Sequence, residues 1–228
     1  MKVLSALVHL STALGAVCAL YATQAIFDGD VRRVFIWLAI ALFVDGIDST
    51  FARATRVKDN LPRFSGEHLD LVVDYVTYVF VPVLALIAWH HLDGVLGGCL
   101  AAGILLSALF HFSDLESKSK DKCFVGFPAV WNIVAFYIFA IGPPQWVTLT
   151  AIVMAIAATF VPMPWVHPLR VVALRPLTSA VSALAIVAAV ATLVHGFPAP
   201  ALWQGVLIAG AVYYVGLSLY WWRQTSRG

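Results

Sequence analysis

Long stretches of apolar residues alternate with short polar segments along almost the whole chain. A helix needs about 20 apolar residues to cross the hydrocarbon core of a membrane, and the stretches approach or reach that length. The pattern predicts an all-α fold, an integral membrane bundle of eight helices forming one domain over residues 1–228. The helices are expected at roughly 6–27, 33–51, 68–90, 94–112, 126–141, 145–162, 175–195 and 201–222.

The composition also indicates a membrane protein. The chain is 61% hydrophobic and 11% charged, with a mean hydropathy of +0.89, whereas soluble domains carry about 25% charged residues. The net charge of +2 is too small to indicate binding of a nucleic acid polymer. The three cysteines are isolated in the sequence and predict neither a zinc site nor a disulfide framework.

The basic residues are distributed unequally between the two sides of the predicted bundle. Eight spans place both chain termini on one side, and all lysines and arginines except Arg32 and Arg33 fall on that side. Because basic residues accumulate in cytoplasmic loops, we expect both termini to be cytoplasmic.

Four aspartates lie in or beside the second and third apolar stretches. Asp45 and Asp48 are three positions apart, and Asp70 and Asp74 are four apart, so each pair projects from one face of a helix. The pairs flank one polar loop, and a helical hairpin would bring them together. Because unpaired carboxylates repel one another in a low-dielectric site, the arrangement predicts a hard divalent cation such as Mg²⁺, Mn²⁺ or Ca²⁺. The alternative is that the aspartates are ordinary residues at helix ends, two of them capping.

The same stretch resembles the signature of the CDP-alcohol phosphotransferase family, D-x2-D-G-x2-A-R followed by a spacer and G-x3-D-x3-D. Besides the four aspartates, Ala52, Arg53 and Gly66 match this signature. Ser49 stands where the family has glycine, and the spacer of twelve residues is longer than the commonest one. The long spacer, the run L-P-R-F-S-G-E-H-L-D-L-V-V-D and the later segments F-V-G-F-P and V-H-P-L-R are most similar to the bacterial phosphatidylcholine synthases.

The resemblance implies an enzyme of the bacterial inner membrane that transfers a phosphatidyl group from CDP-diacylglycerol to choline, giving phosphatidylcholine and CMP. It implies two divalent ions, Mn²⁺ or Mg²⁺, bound by Asp45, Asp48, Asp70 and Asp74. Asp74 is also implied as the base that accepts the proton of the alcohol. A homodimer is expected on the same grounds. The nucleotide-binding positions that the signature implies are Asp48, Ser49, Ala52, Arg53 and Gly66.

The acceptor residues are inferred from the chemistry of choline. Its quaternary ammonium group cannot donate a hydrogen bond and binds to aromatic faces, helped by a nearby carboxylate. Tyr78, four residues after Asp74, and Trp131 are the candidate rings, with Asn132 beside the second ring. The alternative for each ring is ordinary packing in the bundle. Glu116 is a candidate carboxylate, and a solvated loop position is an equal alternative.

Arg170 and Arg175 precede and begin the seventh predicted helix. They are candidate ligands for a lipid phosphate, and simple anchoring of the topology is an equal alternative.

Two other functions fit part of the pattern. The same chemistry could use another alcohol, such as serine, glycerol phosphate or inositol. A cation transporter could use the four aspartates as its ion site, but they lie near one membrane face and the chain shows no inverted repeat.

Overall fold

The computed structural model describes residues 2–55, 65–114, 124–165 and 174–225. Over these ranges it contains eight helices, which confirms the predicted all-α class and the predicted number of helices. A two-residue antiparallel bridge pairs β1 (Phe124–Val125) with β2 (Pro164–Trp165). The helices are α1 Lys2–Phe27, α2 Val31–Thr55, α3 Gly66–Ala88, α4 Gly94–Ser113, α5 Trp131–Ile141, α6 Gln145–Thr159, α7 Arg175–His195 and α8 Ala201–Thr225.

Five of the described helices are long and apolar enough to cross a membrane: α3, α4, α7, most of α8, and His9–Phe27 within α1. Large apolar side chains on these helices are exposed, for example Val95 at 87% and Leu202 at 70%, as expected for surfaces that face lipid. The chain is therefore a multi-pass membrane protein. Helices α5 and α6 are apolar but have only 11 and 15 residues, fewer than predicted.

The fifth helix begins at Trp131, five residues later than predicted. The residues before it form the short bridge and a turn. Gly126 has φ +78°, and a Cβ there would overlap the carbonyl oxygen of Thr159. Ala129 has φ +53°, and its N–H donates to the carbonyl of Phe127 at 2.9 Å. These positive φ values are incompatible with a right-handed helix, so the apolar composition of this segment was misleading.

The chain divides into two compact units. One comprises Met1–His90 and Trp131–Ala135, and the other comprises His91–Val130 and Phe136–Gly228. The first unit therefore contains α1 to α3 and the beginning of α5. That a single functional domain spans residues 1–228 stays a prediction.

Helices α1 and α2 form a hairpin in the first unit. The turn between them contains Gly29 at φ +71°, a conformation that glycine adopts without steric cost. Asp30 caps α2 by accepting the N–H of Arg33 at 2.9 Å. The guanidinium of Arg33 also lies 3.1 Å from the carboxylate of Asp28. Because of this turn, α2 runs back along α1, and the C-terminal half of α2 carries the signature residues Asp45 and Asp48.

In the second unit, helices α7 and α8 are joined by hydroxyl contacts. The hydroxyls of Thr178 and Tyr213 lie 2.8 Å apart, and Ser182 makes a similar bond with Tyr214. Inside a membrane such bonds satisfy polar groups that have no water available. The core of this unit includes the buried residues Ala140, Ala188, Ala199 and Leu207.

Candidate metal centre

Three of the four signature aspartates converge. One carboxylate oxygen from each of Asp45, Asp70 and Asp74 lies within 4.8 Å of the others, and all three residues are partly buried. Asp45 is supplied by α2, while Asp70 and Asp74 are on consecutive turns of α3. The helical hairpin expected from the sequence thus brings carboxylates from both of its arms together.

The start of α3 is well specified by the sequence. Ser65 is the N-cap, and its side chain accepts a hydrogen bond from the N–H of His68 at 3.2 Å. Glu67 lies in the first turn, where a negative charge interacts favourably with the helix dipole. Asp70 is therefore fixed one turn inside a capped helix.

The arrangement fits a hard divalent cation. The donors are all carboxylate oxygens, which Mg²⁺, Mn²⁺ and Ca²⁺ prefer. Oxygens on opposite sides of one ion, at bond lengths of about 2.0–2.6 Å, are separated by about 4–5 Å, close to the observed limit of 4.8 Å. A cavity of about 10 Å³ lies between the carboxylates, roughly one water-sized sphere. Its lining comprises Thr12, Gly15, Ala41, Val44, Asp45, Asp70, Val73, Asp74 and Thr77.

The remaining signature residues on α2 lie on its last two turns. The structure describes the helical backbone there and not the side chains. It therefore gives no contact for the predicted metal ligand Asp48 or for the predicted nucleotide-binding residues Ser49, Ala52 and Arg53.

Helix α1 supplies part of the cavity wall, which the sequence analysis did not predict. Thr12 and Gly15 line the cavity beside the two turns of α3 that carry the aspartates. A Cβ at Gly15 would overlap Cγ1 of Val73, so the glycine allows α1 and α3 to approach closely. In the sequence, the signal for this contribution was a hydroxyl residue, Thr12, three positions before a small residue, Gly15, in an otherwise apolar helix.

Gly66 is the second close contact between α1 and α3. A Cβ at this position would lie 2.8 Å from Cε1 and 3.2 Å from Nδ1 of His9. Nε2 of His9 is buried without a hydrogen-bond partner in the part of the chain that the structure describes. The signature glycine therefore has a packing partner within the protein, one helical turn before Asp70.

Helix α3 is not a regular α-helix throughout. Residues Tyr75–Phe80 form a π-helical segment, in which the N–H of Val81 donates to the carbonyl of Val76. The hydroxyl of Thr77 donates to the carbonyl of Val73 at 2.9 Å. π segments of this length are rare and occur frequently at functional sites. This one begins directly after Asp74.

Tyr78 projects from the π segment toward α2. Its hydroxyl donates to Oδ2 of Asp45 at 2.7 Å. This hydrogen bond joins the two arms of the hairpin at the carboxylate cluster.

Comparison with known proteins gives the family. No protein-family model matches the chain, but individual relatives do. The phosphatidylcholine synthase of Pseudomonas aeruginosa is 38% identical over 213 residues, which cover 93% of this chain and 90% of that protein. The phosphatidylcholine synthase of Brucella melitensis is 39% identical over 212 residues, covering 92% and 76%. That of Mesorhizobium japonicum is 45% identical over 169 residues, covering 74% and 63%.

The chain belongs to the phosphatidylcholine synthase family. This confirms the resemblance found in the signature, and it makes the protein a transferase of phospholipid biosynthesis.

Of the other residues predicted for the phosphatidylcholine synthase site, the structure describes Trp131, Asn132 and Arg175, and none of these three lines the small cavity. Trp131 and Asn132 open α5 in the first unit and are 0% and 6% exposed. Asn132 accepts a hydrogen bond from the N–H of Ile133 at 2.9 Å. Arg175 is the exposed first residue of α7, in the second unit. Glu116 and Arg170 lie outside the described residues.

Proposed function

We propose that this protein transfers the phosphatidyl group of CDP-diacylglycerol to choline, producing phosphatidylcholine and CMP. The observation that carries the proposal is the convergence of Asp45, Asp70 and Asp74 within a membrane helix bundle. The names of the relatives support phosphatidylcholine as the product. The resemblance of the aspartate signature to that of the CDP-alcohol phosphotransferases supports CDP-diacylglycerol as the activated lipid.

Two divalent ions, Mn²⁺ or Mg²⁺, are proposed to be held by Asp45, Asp48, Asp70 and Asp74. Such ions neutralise a pyrophosphate and stabilise the negative charge that develops on a departing phosphate oxygen. The fit of the three described carboxylates to a hard cation supports this assignment.

In the proposed reaction the hydroxyl oxygen of choline attacks the β-phosphorus of CDP-diacylglycerol. The bond from this phosphorus to the bridging pyrophosphate oxygen breaks, and CMP leaves with that oxygen. Asp74 accepts the proton of the choline hydroxyl. Asp74 is the last residue of α3 before the π segment and lines the cavity, which supports this role.

The nucleotide is proposed to bind along the last turns of α2 and the start of α3. Asp48, Ser49, Ala52 and Gly66 provide small or polar surfaces there, and the guanidinium of Arg53 provides bidentate hydrogen bonds to phosphate oxygens.

Choline is proposed to contact the rings of Tyr78 and Trp131 through its quaternary ammonium group. Both residues belong to the compact unit that contains the carboxylates. Asn132 and Glu116 complete the proposed acceptor set, and Arg170 and Arg175 are the proposed contacts to a lipid phosphate.

The unequal division of basic residues supports an orientation in the bacterial inner membrane with both termini and the reaction on the cytoplasmic side. A homodimer is proposed from the family resemblance alone.

The test is a transfer assay with purified protein in detergent micelles. We expect Mn²⁺, CDP-diacylglycerol and labelled choline to give labelled phosphatidylcholine and an equal amount of CMP. Asp45→Asn should abolish turnover, whereas Asp93→Asn, an acid at the start of α4 in the other unit, should not. Equal rates with serine and choline, or full turnover in excess EDTA, would contradict the proposal.

A further inference from the structure

We infer that Tyr78 is a positioning residue whose hydroxyl holds the carboxylate of Asp45 in place for metal binding, and that the π segment of α3 aims it. The inference rests on the proposed metal role of Asp45. It concerns the hydroxyl group, which is separate from the proposed contact between the Tyr78 ring and choline.

The contact itself is short and joins different helices. The hydroxyl of Tyr78 lies 2.7 Å from Oδ2 of Asp45, and the two residues are 33 positions apart in the chain. Hydrogen bonds from a neutral donor to a carboxylate are stronger than those between neutral groups. The bond therefore links Asp45 on α2 to α3, the helix that carries Asp70 and Asp74.

Asp45 is the carboxylate that most needs such support. Asp70 and Asp74 share one helix, so their spacing is fixed by its backbone, whereas Asp45 enters from α2. The terminal torsion of an aspartate is broad, and neighbouring carboxylates would drive the group away from the cavity. A donor on Oδ2 restricts this torsion and leaves Oδ1 available as a ligand.

The π segment changes the direction in which Tyr78 projects from α3. In a regular α-helix a turn takes 3.6 residues, so the residue four positions after Asp74 would lie past the full turn. The wider turn of Tyr75–Phe80 brings that residue back. The hydroxyl of the buried Thr77, in the same segment, donates to the carbonyl of Val73 at 2.9 Å.

Metal binding measured directly on purified protein tests the inference. Tyr78→Phe keeps the ring and removes only the hydroxyl, and we expect the Kd for Mn²⁺, followed by electron paramagnetic resonance, to rise about 10- to 100-fold. The KM for choline should stay unchanged because the ring remains. The matched control is Tyr213→Phe, which removes a tyrosine hydroxyl bond of 2.8 Å in the other unit. That control should bind Mn²⁺ like the wild type.

A double variant separates positioning from a general loss of stability. In an Asp45→Asn background the hydroxyl has no ionised ligand to hold, so adding Tyr78→Phe should not weaken Mn²⁺ binding further. A Tyr78→Phe variant with wild-type Mn²⁺ affinity would overturn the inference, as would additive losses in the double variant. If Asp45→Asn alone left Mn²⁺ affinity unchanged, the metal role within the proposed function would be wrong instead.

Discussion

Replacing Gly66 with alanine would bring a methyl group within 2.8 Å of Cε1 and 3.2 Å of Nδ1 of His9. Favourable contacts between carbon atoms lie at about 3.5–4.0 Å, so the ring or the helices must move by roughly 0.7 Å. Overpacking of this kind costs about 1–3 kcal/mol.

A shift of α3 at Gly66 would also move the carboxylate of Asp70. Asp70 lies one turn after Gly66 on the same face of α3, and metal–ligand distances tolerate shifts of only about 0.2 Å. If all of the strain appears as weaker metal binding, Gly66→Ala should lower Mn²⁺ affinity and activity at limiting Mn²⁺ by about 5- to 150-fold.

Removing the ring should restore the lost function. Transfer rates and Mn²⁺ affinity would be measured for Gly66→Ala, His9→Ala and the double variant. His9→Ala alone should have a small effect, because Nε2 of the ring is buried without a hydrogen-bond partner among the described residues. The double variant should approach His9→Ala, with a coupling energy of about 1–3 kcal/mol.

Gly98→Ala is the control, since a Cβ at that position in α4 would meet no described atom within 4 Å. A double variant as inactive as Gly66→Ala would refute the reasoning. The glycine would then be needed for the nucleotide contact that the signature implies, and its proximity to His9 would be incidental.

Three further predictions follow from the proposed reaction. Asp74→Asn should abolish turnover while CDP-diacylglycerol binding, measured with labelled lipid, is largely kept; a near-normal kcat would refute the assignment of Asp74 as base. Ser49→Gly should retain or raise activity with a lower KM for CDP-diacylglycerol, and a large loss would reveal a serine contact. Trp131→Ala should raise the KM for choline about 30-fold, because a desolvated cation–π contact contributes about 2 kcal/mol. The KM for CDP-diacylglycerol should hardly change in that variant, and an unchanged KM for choline would remove Trp131 from the proposed acceptor site.

Helix number and the aspartate hairpin could be predicted because both depend on patterns that repeat along the chain. Long apolar runs predict membrane helices from composition alone, and spacings of three or four residues place side chains on one helix face. The start of α5 could not be predicted this way. Apolar composition does not reveal that Gly126 and Ala129 adopt positive φ, nor that Phe124–Val125 pairs with a segment about 40 residues away.

Contacts between helices were the least predictable part of the site. The sequence indicated that Tyr78 shares a face with Asp74, but helical periodicity assumes a constant turn and cannot locate a π segment. It therefore missed the hydrogen bond from Tyr78 to Asp45. The sequence also did not predict that α1 forms part of the cavity wall. The contacts of Gly15 with Val73 and of His9 with Gly66 depend on how α1 packs against α3, which helical periodicity does not indicate.

The π segment also gives α3 one residue more than a regular helix would need there, because its wide turn takes up the extra residue. Deleting one residue between Tyr75 and Phe80 would let the ladder close as an ordinary α-helix, whereas the same deletion in a regular part of α3 would rotate everything beyond it by about 100°. Val81, Val83 and Leu86, each no more than 2% exposed, would keep their places in the core only in the first case. This helix can therefore lose a residue only where it is already widened.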